Sequence, residues 1–220
     1  QIDKAGPASA VIGETVTYQF TVSHAPGSDG TPLANVTVDD NVVAGVTYQS
    51  GDTDADGLLA AAEAWLFVAT YTVDLTDPDP LVNVATVSAD NLLGGTISAD
   101  DSHSLDVDHQ PALMITKTAV ASAAVGDAVT YDIVVAHAIG SDLSPVASVV
   151  VTDSLIDTLP SPSGDLDADG LIDGDETWTY QVSRVVLETD ADPVVNTASV
   201  EGLDADGQPI APATDSHSLD

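Results

Sequence analysis

Residues 15–23, with the sequence TVTYQFTVS, alternate polar and apolar side chains without interruption. A β-strand places successive side chains on opposite faces, so the apolar residues of this segment share one face. The same alternation returns in the second half of the chain, at Val129, Tyr131, Ile133 and Val135. The pattern predicts two half-buried strands, one in each half of the chain.

The two strands belong to one unit that is written twice. Landmark residues recur 113 positions apart, and the pairs are Lys4 and Lys117, Tyr18 and Tyr131, Asp52 and Asp165, Trp65 and Trp178, and Asn83 and Asn196. The motif SHSLD at 102–106 returns at 216–220, where a third copy would begin. We therefore predict two domains, 1–107 and 108–220, and expect them to be a piece of a longer tandem array.

Other short alternating segments predict further strands in each copy. In the first copy they lie near 2–5, 34–40, 45–49, 64–73, 82–88 and 95–106, and their counterparts follow 113 or 114 positions later. About seven short strands in about a hundred residues are typical of an immunoglobulin-like sandwich. No segment predicts an amphipathic helix. The predicted fold class is all-β, with two tandem immunoglobulin-like β-sandwich domains of about seven strands each.

Acidic residues dominate the charge: 36 Asp and Glu face 3 Lys and Arg, which gives a formal net charge of −33. This balance argues against nucleic acid as a partner, because phosphate binding needs clustered cations. No apolar run is long enough to insert into a membrane. The absence of cysteine excludes disulfides, thiolate metal sites and a cysteine nucleophile. Because 44% of the residues are hydrophobic, the chain can still form a core.

Only five of the acids are glutamate, and many of the aspartates fall into one loop per copy with the ligand spacing of an EF-hand. The expected ligands are Asp52, Asp54, Asp56, the carbonyl of Leu58 and Glu63 in the first loop, and Asp165, Asp167, Asp169, the carbonyl of Leu171, Asp173 and Glu176 in the second. Oxygen ligands without His or Cys favour Ca²⁺. We predict calcium loops without the flanking helices of an EF-hand, and solvated acidic turns are the alternative. More weakly, acids near the linker at 100–108 suggest a further ion.

The only two lysines occupy equivalent positions, and strand parity points both of them inward. Parity also points one aspartate and one asparagine of each copy inward. The resulting trios are Lys4, Asp40 and Asn83 in the first copy and Lys117, Asp153 and Asn196 in the second. A buried lysine is costly unless it is paired or consumed by a reaction.

Such a trio has the groups needed for an intramolecular isopeptide bond. Burial favours a neutral lysine amine and a protonated acid that polarises the asparagine carboxamide, so that the amine attacks and ammonia leaves. A buried salt bridge with a hydrogen-bonded asparagine is the alternative. Glu63 and Glu176 share the inward parity and are rival candidates for the acid, but their place in the calcium spacing favours Asp40 and Asp153.

Several runs of the second copy resemble the bacterial conserved-repeat-domain family, domain of unknown function eleven. They are ITKTA at 115–119, VTD at 151–153, GDLDADG at 164–170, ETWTY at 176–180 and VNTASV at 195–200. The first copy is similar more loosely, for example in VNVATV at 82–87. The resemblance implies tandem Ig-like modules of very large bacterial or archaeal surface proteins, some of which form isopeptide bonds. It implies neither a ligand nor an enzyme.

From these features we expect a non-enzymatic spacer of an extracellular, cell-surface protein such as an adhesin or stalk, with neighbouring repeats of the same array as its partners. One alternative is an adhesive module that binds a carbohydrate or protein ligand on a host or other surface. That alternative predicts differences between the copies at one end of the sandwich, and 89–100 and 201–214 do diverge. A self-assembling filament or surface-layer subunit is the other alternative.

Overall fold

The computed structural model describes residues 1–220 and contains no helix. Accordingly, nothing in it qualifies as a membrane-spanning helix. The chain divides into two compact units, Gln1–Asp108 and His109–Asp220.

Unit 1 is a sandwich of two four-stranded sheets. Its strands are β1 (Ile2–Ala5), β2 (Ser9–Val11), β3 (Thr15–Ser23), β4 (Leu33–Asp40), β5 (Thr47–Ser50), β6 (Ala64–Thr72), β7 (Leu81–Asn91) and β8 (Thr96–Asp108). One sheet has the order β1-β3-β6-β5 and the other β2-β8-β7-β4. Apart from β2, these are the ABED and CFG sheets of an immunoglobulin constant-type domain. The predicted fold class is confirmed.

Unit 2 repeats this arrangement with six strands in two three-stranded sheets. Its strands are β9 (Leu113–Thr118), β10 (Ala128–His137), β11 (Ala147–Asp153), β12 (Thr177–Val185), β13 (Val194–Leu203) and β14 (Ala213–Leu219). Their orders are β12-β10-β9 and β11-β13-β14.

The structure differs from the predicted strands at two places. The sequence analysis missed the three-residue β2, which pairs parallel with the end of β8, because it is too short to show an alternation. The expected counterpart of β5 is missing from unit 2, where only the bridge between Ser163 and Thr179 remains. Pro160 and Pro162 occupy that segment, and proline has no N–H to donate to a neighbouring strand.

The core of each unit forms where the apolar faces of its two sheets meet. In β3, Tyr18 and Phe20 are completely buried while the threonines between the apolar positions face outward. In β10, Ile133 and Val135 are completely buried in the same way. The alternation in the sequence therefore predicted correctly which face of β3 and of β10 packs.

Gly51 and Gly164 lie just before the acidic loops and bring the chain against the neighbouring strand. Their φ angles are 122° and 112°, a region that side-chain-bearing residues rarely adopt. A Cβ at Gly51 would lie 2.2 Å from the carbonyl oxygen of Ala64, and one at Gly164 would lie 2.0 Å from that of Thr177. Only glycine lets the loops start at this point.

We predict that Gly51→Ala destabilises unit 1 by about 2–4 kcal/mol, because backbone strain and a clash with a fixed main-chain oxygen add together. Gly13→Ala is the matched control, since Gly13 has a φ of 84° but no atom within 4 Å of the added Cβ. The control should lose only about 1–2 kcal/mol. Calorimetric melting of both variants checks this, and equal losses would contradict the clash.

Candidate functional site

Each unit contains a lysine–aspartate pair that is sealed between its two sheets. Lys4 on β1 donates from Nζ to Oδ2 of Asp40, at the end of β4, across 2.6 Å. Both side chains are completely inaccessible to solvent. Lys117 on β9 and Asp153 on β11 form the same inaccessible pair in unit 2. The structure thus brings together the predicted lysines and aspartates, whereas Glu63 and Glu176 make no ion pair with a lysine.

Aromatic rings line the same pocket. Lys4 Nζ lies 4.8 Å from the centroid of the Tyr18 ring and 5.4 Å from that of Phe20. Lys117 Nζ lies 4.5 Å from the centroid of Tyr131. Removal from water lowers the pKa of Lys4, although its hydrogen bond to Asp40 and the charges of Asp40 and Asp101 oppose this shift. Burial therefore makes the charged form of Lys4 less favourable than it is in water.

The predicted asparagines are completely buried, and their amide nitrogens have no hydrogen-bond partner. Asn83 in β7 is unpaired at both Nδ2 and Oδ1, and Asn196 in β13 is unpaired at Nδ2. The Tyr18 hydroxyl lies beside the Asn83 carboxamide, although it too lacks a hydrogen bond, and burial raises its pKa. An unpaired buried donor costs about 1–3 kcal/mol, so these amides are held in an unfavourable state.

Two further acids hold the lysine strands, and the sequence analysis missed this role. The backbone N–H of Lys4 donates to Oδ2 of Asp101 across 2.7 Å. The N–H of Lys117 donates to Oδ2 of Asp215 across 2.6 Å. Asp101 and Asp215 recur 114 positions apart beside the repeated SHSLD motif, which was the available signal. Their carboxylates therefore accept the backbone N–H groups of the two lysines.

The aspartates of the ion pairs are also fixed from the other side. Oδ1 of Asp40 accepts the backbone N–H groups of Val42 and Val43 across 3.0 and 2.8 Å. Oδ1 of Asp153 accepts the N–H of Leu155 across 3.0 Å. Each carboxylate therefore points its second oxygen at the lysine with little freedom to rotate.

The acidic loop of unit 1 brings three of its predicted ligands together. One carboxylate oxygen each of Asp52, Asp54 and Glu63 lie within 4.8 Å of one another. Asp56 is not in this group, and its Oδ1 instead accepts the N–H of Leu58 across 2.8 Å. The Leu58 carbonyl itself follows this turn, one residue before the buried Leu59.

Glu63 is buried beneath the loop, and hydrogen bonds hold its carboxylate there. Its Oε1 accepts the N–H of Thr53 across 2.6 Å, and its Oε2 accepts Nε1–H of Trp65 across 3.2 Å. These bonds, above all that from the Thr53 backbone, lower the pKa of Glu63 to about 2. Glu63 is therefore ionised at neutral pH, and its negative charge lies at the base of the loop.

The loop of unit 2 is equally arranged and carries two more acids, Asp173 and Asp175, of which Asp173 is a predicted ligand. Asp165, Asp167 and Glu176 form the counterpart group, and Asp167, Asp169 and Asp173 form a second one with oxygens within 4.8 Å. Asp165 Oδ1 is buried without any partner. Burial, together with Asp169, Asp167 and Glu176, raises the pKa of Asp173. An uncompensated cluster with an orphaned oxygen suits a hard cation such as Ca²⁺.

Both loops are anchored on the core at the position after Leu58 and Leu171. Leu59 and Ile172 are buried there, and each accepts a hydrogen bond at its carbonyl from a histidine ring. The distances from Nε2 are 3.0 Å for His24 and 3.1 Å for His137. His24 and His137, which recur 113 positions apart, therefore hold the two loops against the core.

Comparison with known proteins found no matching family model and no matching curated protein. The resemblance to the conserved-repeat-domain family therefore rests on the quoted motifs alone. The solved structures that the chain resembles include bacterial surface adhesins and pilins.

One of them is an R347E mutant of the SrpA adhesin of Streptococcus sanguinis, with 15% identity, a TM-score of 0.31, and coverage of 57% of this chain and 68% of that one. Another is BcpA, the major pilin subunit of Bacillus cereus, with 10% identity, a TM-score of 0.38, and coverage of 100% and 66%. The fibronectin(III)-like modules of Clostridium thermocellum CbhA match with 14% identity, a TM-score of 0.25, and coverage of 100% and 93%.

Proposed function

We propose that the chain is a pair of non-enzymatic structural modules of an extracellular surface protein. Each module is locked by one lysine–asparagine isopeptide bond and stabilised by Ca²⁺. The observation that carries the proposal is the sealed lysine–aspartate pair in a core that also buries an asparagine amide with no hydrogen-bond partner. Bond formation would remove both the buried cation and the orphaned amide nitrogen.

The reaction needs only groups that the core contains. A proton moves from Lys4 Nζ to Asp40, which converts the ion pair into a neutral amine and a carboxylic acid. The Nζ lone pair attacks Cγ of Asn83, and one Nζ proton passes to Nδ2 with Asp40 as its carrier. The Cγ–Nδ2 bond breaks, ammonia leaves, and an amide with one N–H remains. The equivalent groups of unit 2 are Lys117, Asp153 and Asn196.

The position of the bond suits a module that carries tension. Lys4 lies in β1 of one sheet and Asn83 lies in β7 of the other, so the bond would join the two sheets through the core. The enclosed segment, which contains strands β2–β6, could not be pulled out in sequence while the bond is intact. This supports a spacer between neighbouring repeats of one array.

Calcium would neutralise carboxylates that otherwise repel one another. The grouped oxygens, the turn at Gly57 with its N–H bound to Asp52 Oδ2, and the orphaned oxygen of Asp165 support a cation in each loop. A cation that binds only the folded state stabilises that state by mass action. The fold would then be most stable in a calcium-rich exterior.

A ligand-binding module is the second candidate, and one surface of unit 1 favours it. A groove of about 450 Å³ lies beside the β7–β8 hairpin, where Leu92 and Leu93 are exposed. This hairpin belongs to 89–100, a segment that diverges between the copies. The test is to replace Leu92 and Leu93 by serine. If the variant folds normally but no longer adheres to surfaces, this role is supported.

We predict that the purified chain lacks the mass of two ammonia molecules, one for each unit. Intact mass spectrometry measures this loss, and peptide mapping should join the peptides of Lys4 and Asn83 and those of Lys117 and Asn196. Lys4→Ala should restore one ammonia mass and Lys117→Ala the other. An unmodified mass in the natural chain would overturn the covalent lock.

We also predict that Ca²⁺ raises the melting temperature. At a hundredfold excess over the dissociation constant, binding stabilises a unit by about 2.7 kcal/mol, or roughly 10–20 °C for a domain of this size. Glu63→Gln together with Glu176→Gln should abolish most of the rise, because each change removes a buried charge but keeps the side-chain shape. If chelator leaves the melting temperature of the natural chain unchanged, the loops are acidic turns.

Asp173, one of the two acids that the unit 2 loop has in addition, predicts that this loop binds Ca²⁺ more tightly than that of unit 1. Asp173 occupies the position that Ala60 holds in unit 1, so Asp173→Ala and Ala60→Asp are reciprocal variants. The first should weaken the tighter calorimetric binding step roughly tenfold, and the second should strengthen the weaker step by a similar factor. Unchanged affinities would show that Asp173 is not a ligand.

A further inference from the structure

The residue that follows the buried aspartate differs between the two units. It is Asn41 in unit 1 and Ser154 in unit 2. Both side chains accept one equivalent backbone N–H: Asn41 Oδ1 accepts that of Val84 across 2.7 Å, and Ser154 Oγ accepts that of Thr197 across 2.9 Å. In this contact the two residues are interchangeable.

Only the serine makes a second contact, and it reaches the candidate reacting group. Ser154 Oγ donates to Oδ1 of Asn196 across 3.0 Å. In unit 1 the corresponding oxygen, Oδ1 of Asn83, is buried and has no partner. The carboxamide oxygen that would take up the charge therefore accepts a hydrogen bond in unit 2 and none in unit 1.

The two units differ at the oxygen atom on which negative charge develops during the reaction. Attack on a carboxamide carbon moves negative charge to its oxygen, and a fixed donor at that oxygen stabilises the transition state more than the ground state. The N–H of Thr197 occupies a lone pair of Ser154 Oγ and leaves the hydroxyl proton for Asn196. Asn196 is completely buried, and Ser154, an exposed residue directly after β11, reaches its carboxamide oxygen from the surface.

We propose that Ser154 is a catalytic residue of isopeptide formation in unit 2, where it donates a hydrogen bond to the developing oxyanion on Asn196, and that unit 1 closes its bond more slowly because Asn41 supplies no such donor. The inference rests on the proposed lysine–asparagine bond. Ser154 keeps its proton throughout, so the balance of the reaction is unchanged: the Nζ–Cγ bond forms, the Cγ–Nδ2 bond breaks and ammonia leaves.

Reciprocal exchange of the two residues separates catalysis from folding. Ser154→Asn removes the hydroxyl donor but keeps an acceptor for Thr197, as Asn41 does for Val84 in unit 1. Asn41→Ser introduces the donor into unit 1. Ser154→Thr retains the hydroxyl and is the conservative control. The stability effect of Ser154→Asn is measured separately in a Lys117→Ala background, in which no bond can form in unit 2.

The experiment follows the full 220-residue chain during cell-free synthesis, with samples quenched in acid at intervals. Intact mass gives the total ammonia loss, and peptide mapping assigns it to each unit. In the natural chain unit 2 should be linked before unit 1. Ser154→Asn should slow unit 2 on the order of a hundredfold, the lower end of the cost of losing one oxyanion donor. Asn41→Ser should accelerate unit 1, and Ser154→Thr should remain close to the natural rate.

Failure of the role proposed for Ser154 and failure of the covalent lock give different results. If both bonds form but the natural units react together, or if the exchanges leave both rates unchanged, Ser154 has no catalytic role and the covalent lock survives. If neither unit loses ammonia, the lock itself is wrong and the inference falls with it. Ser154 would have a structural role if two results came together. Ser154→Asn would lower the stability of the chain in the Lys117→Ala background, and Ser154→Thr would not keep the natural rate of bond formation in unit 2.

Discussion

A lysine–aspartate pair without solvent access is the interaction around which each unit is organised. Lys4 and Asp40 belong to different sheets, so their contact requires that the sandwich be closed and that β1 and β4 keep their registers. Removing two charges from water costs several kcal/mol for each ion, and a well-packed apolar pair is often at least as stable. Stability alone therefore gives a weak reason to bury the same pair in both units, and chemistry gives a stronger one.

The surrounding core compensates the charges only in part. The rings of Tyr18 and Phe20 lie close to the ammonium group, and backbone donors hold the far oxygen of Asp40. Nothing in the core satisfies the amide nitrogen of Asn83. The cluster is fixed in geometry but incomplete in hydrogen bonding, and the proposed reaction would expel the unpaired group.

The single arginine is paired with an acid, as the two lysines are. Arg184, the only cation besides the lysines, is also paired: it donates to Asp190 across 2.6 Å and lowers the pKa of that carboxyl to about 2. In unit 1 the hydroxyl of Tyr71 donates to Asp77 across 2.6 Å in the same position. No lysine or arginine is thus left free to pair with the other acids.

The sequence by itself determined the repeat, the class of fold and the inward face of most strands, because side-chain alternation is a local property of an extended chain. It also determined the loop spacing, since ligands a few residues apart are placed by the turn alone. Parity could not decide which inward residues meet across the sandwich. Lys4 pairs with Asp40 rather than Glu63, and Asp101 holds the lysine backbone, only because of how the two sheets stack. The contact of Ser154 with Asn196 likewise depends on the distance between neighbouring strands, which no local pattern encodes.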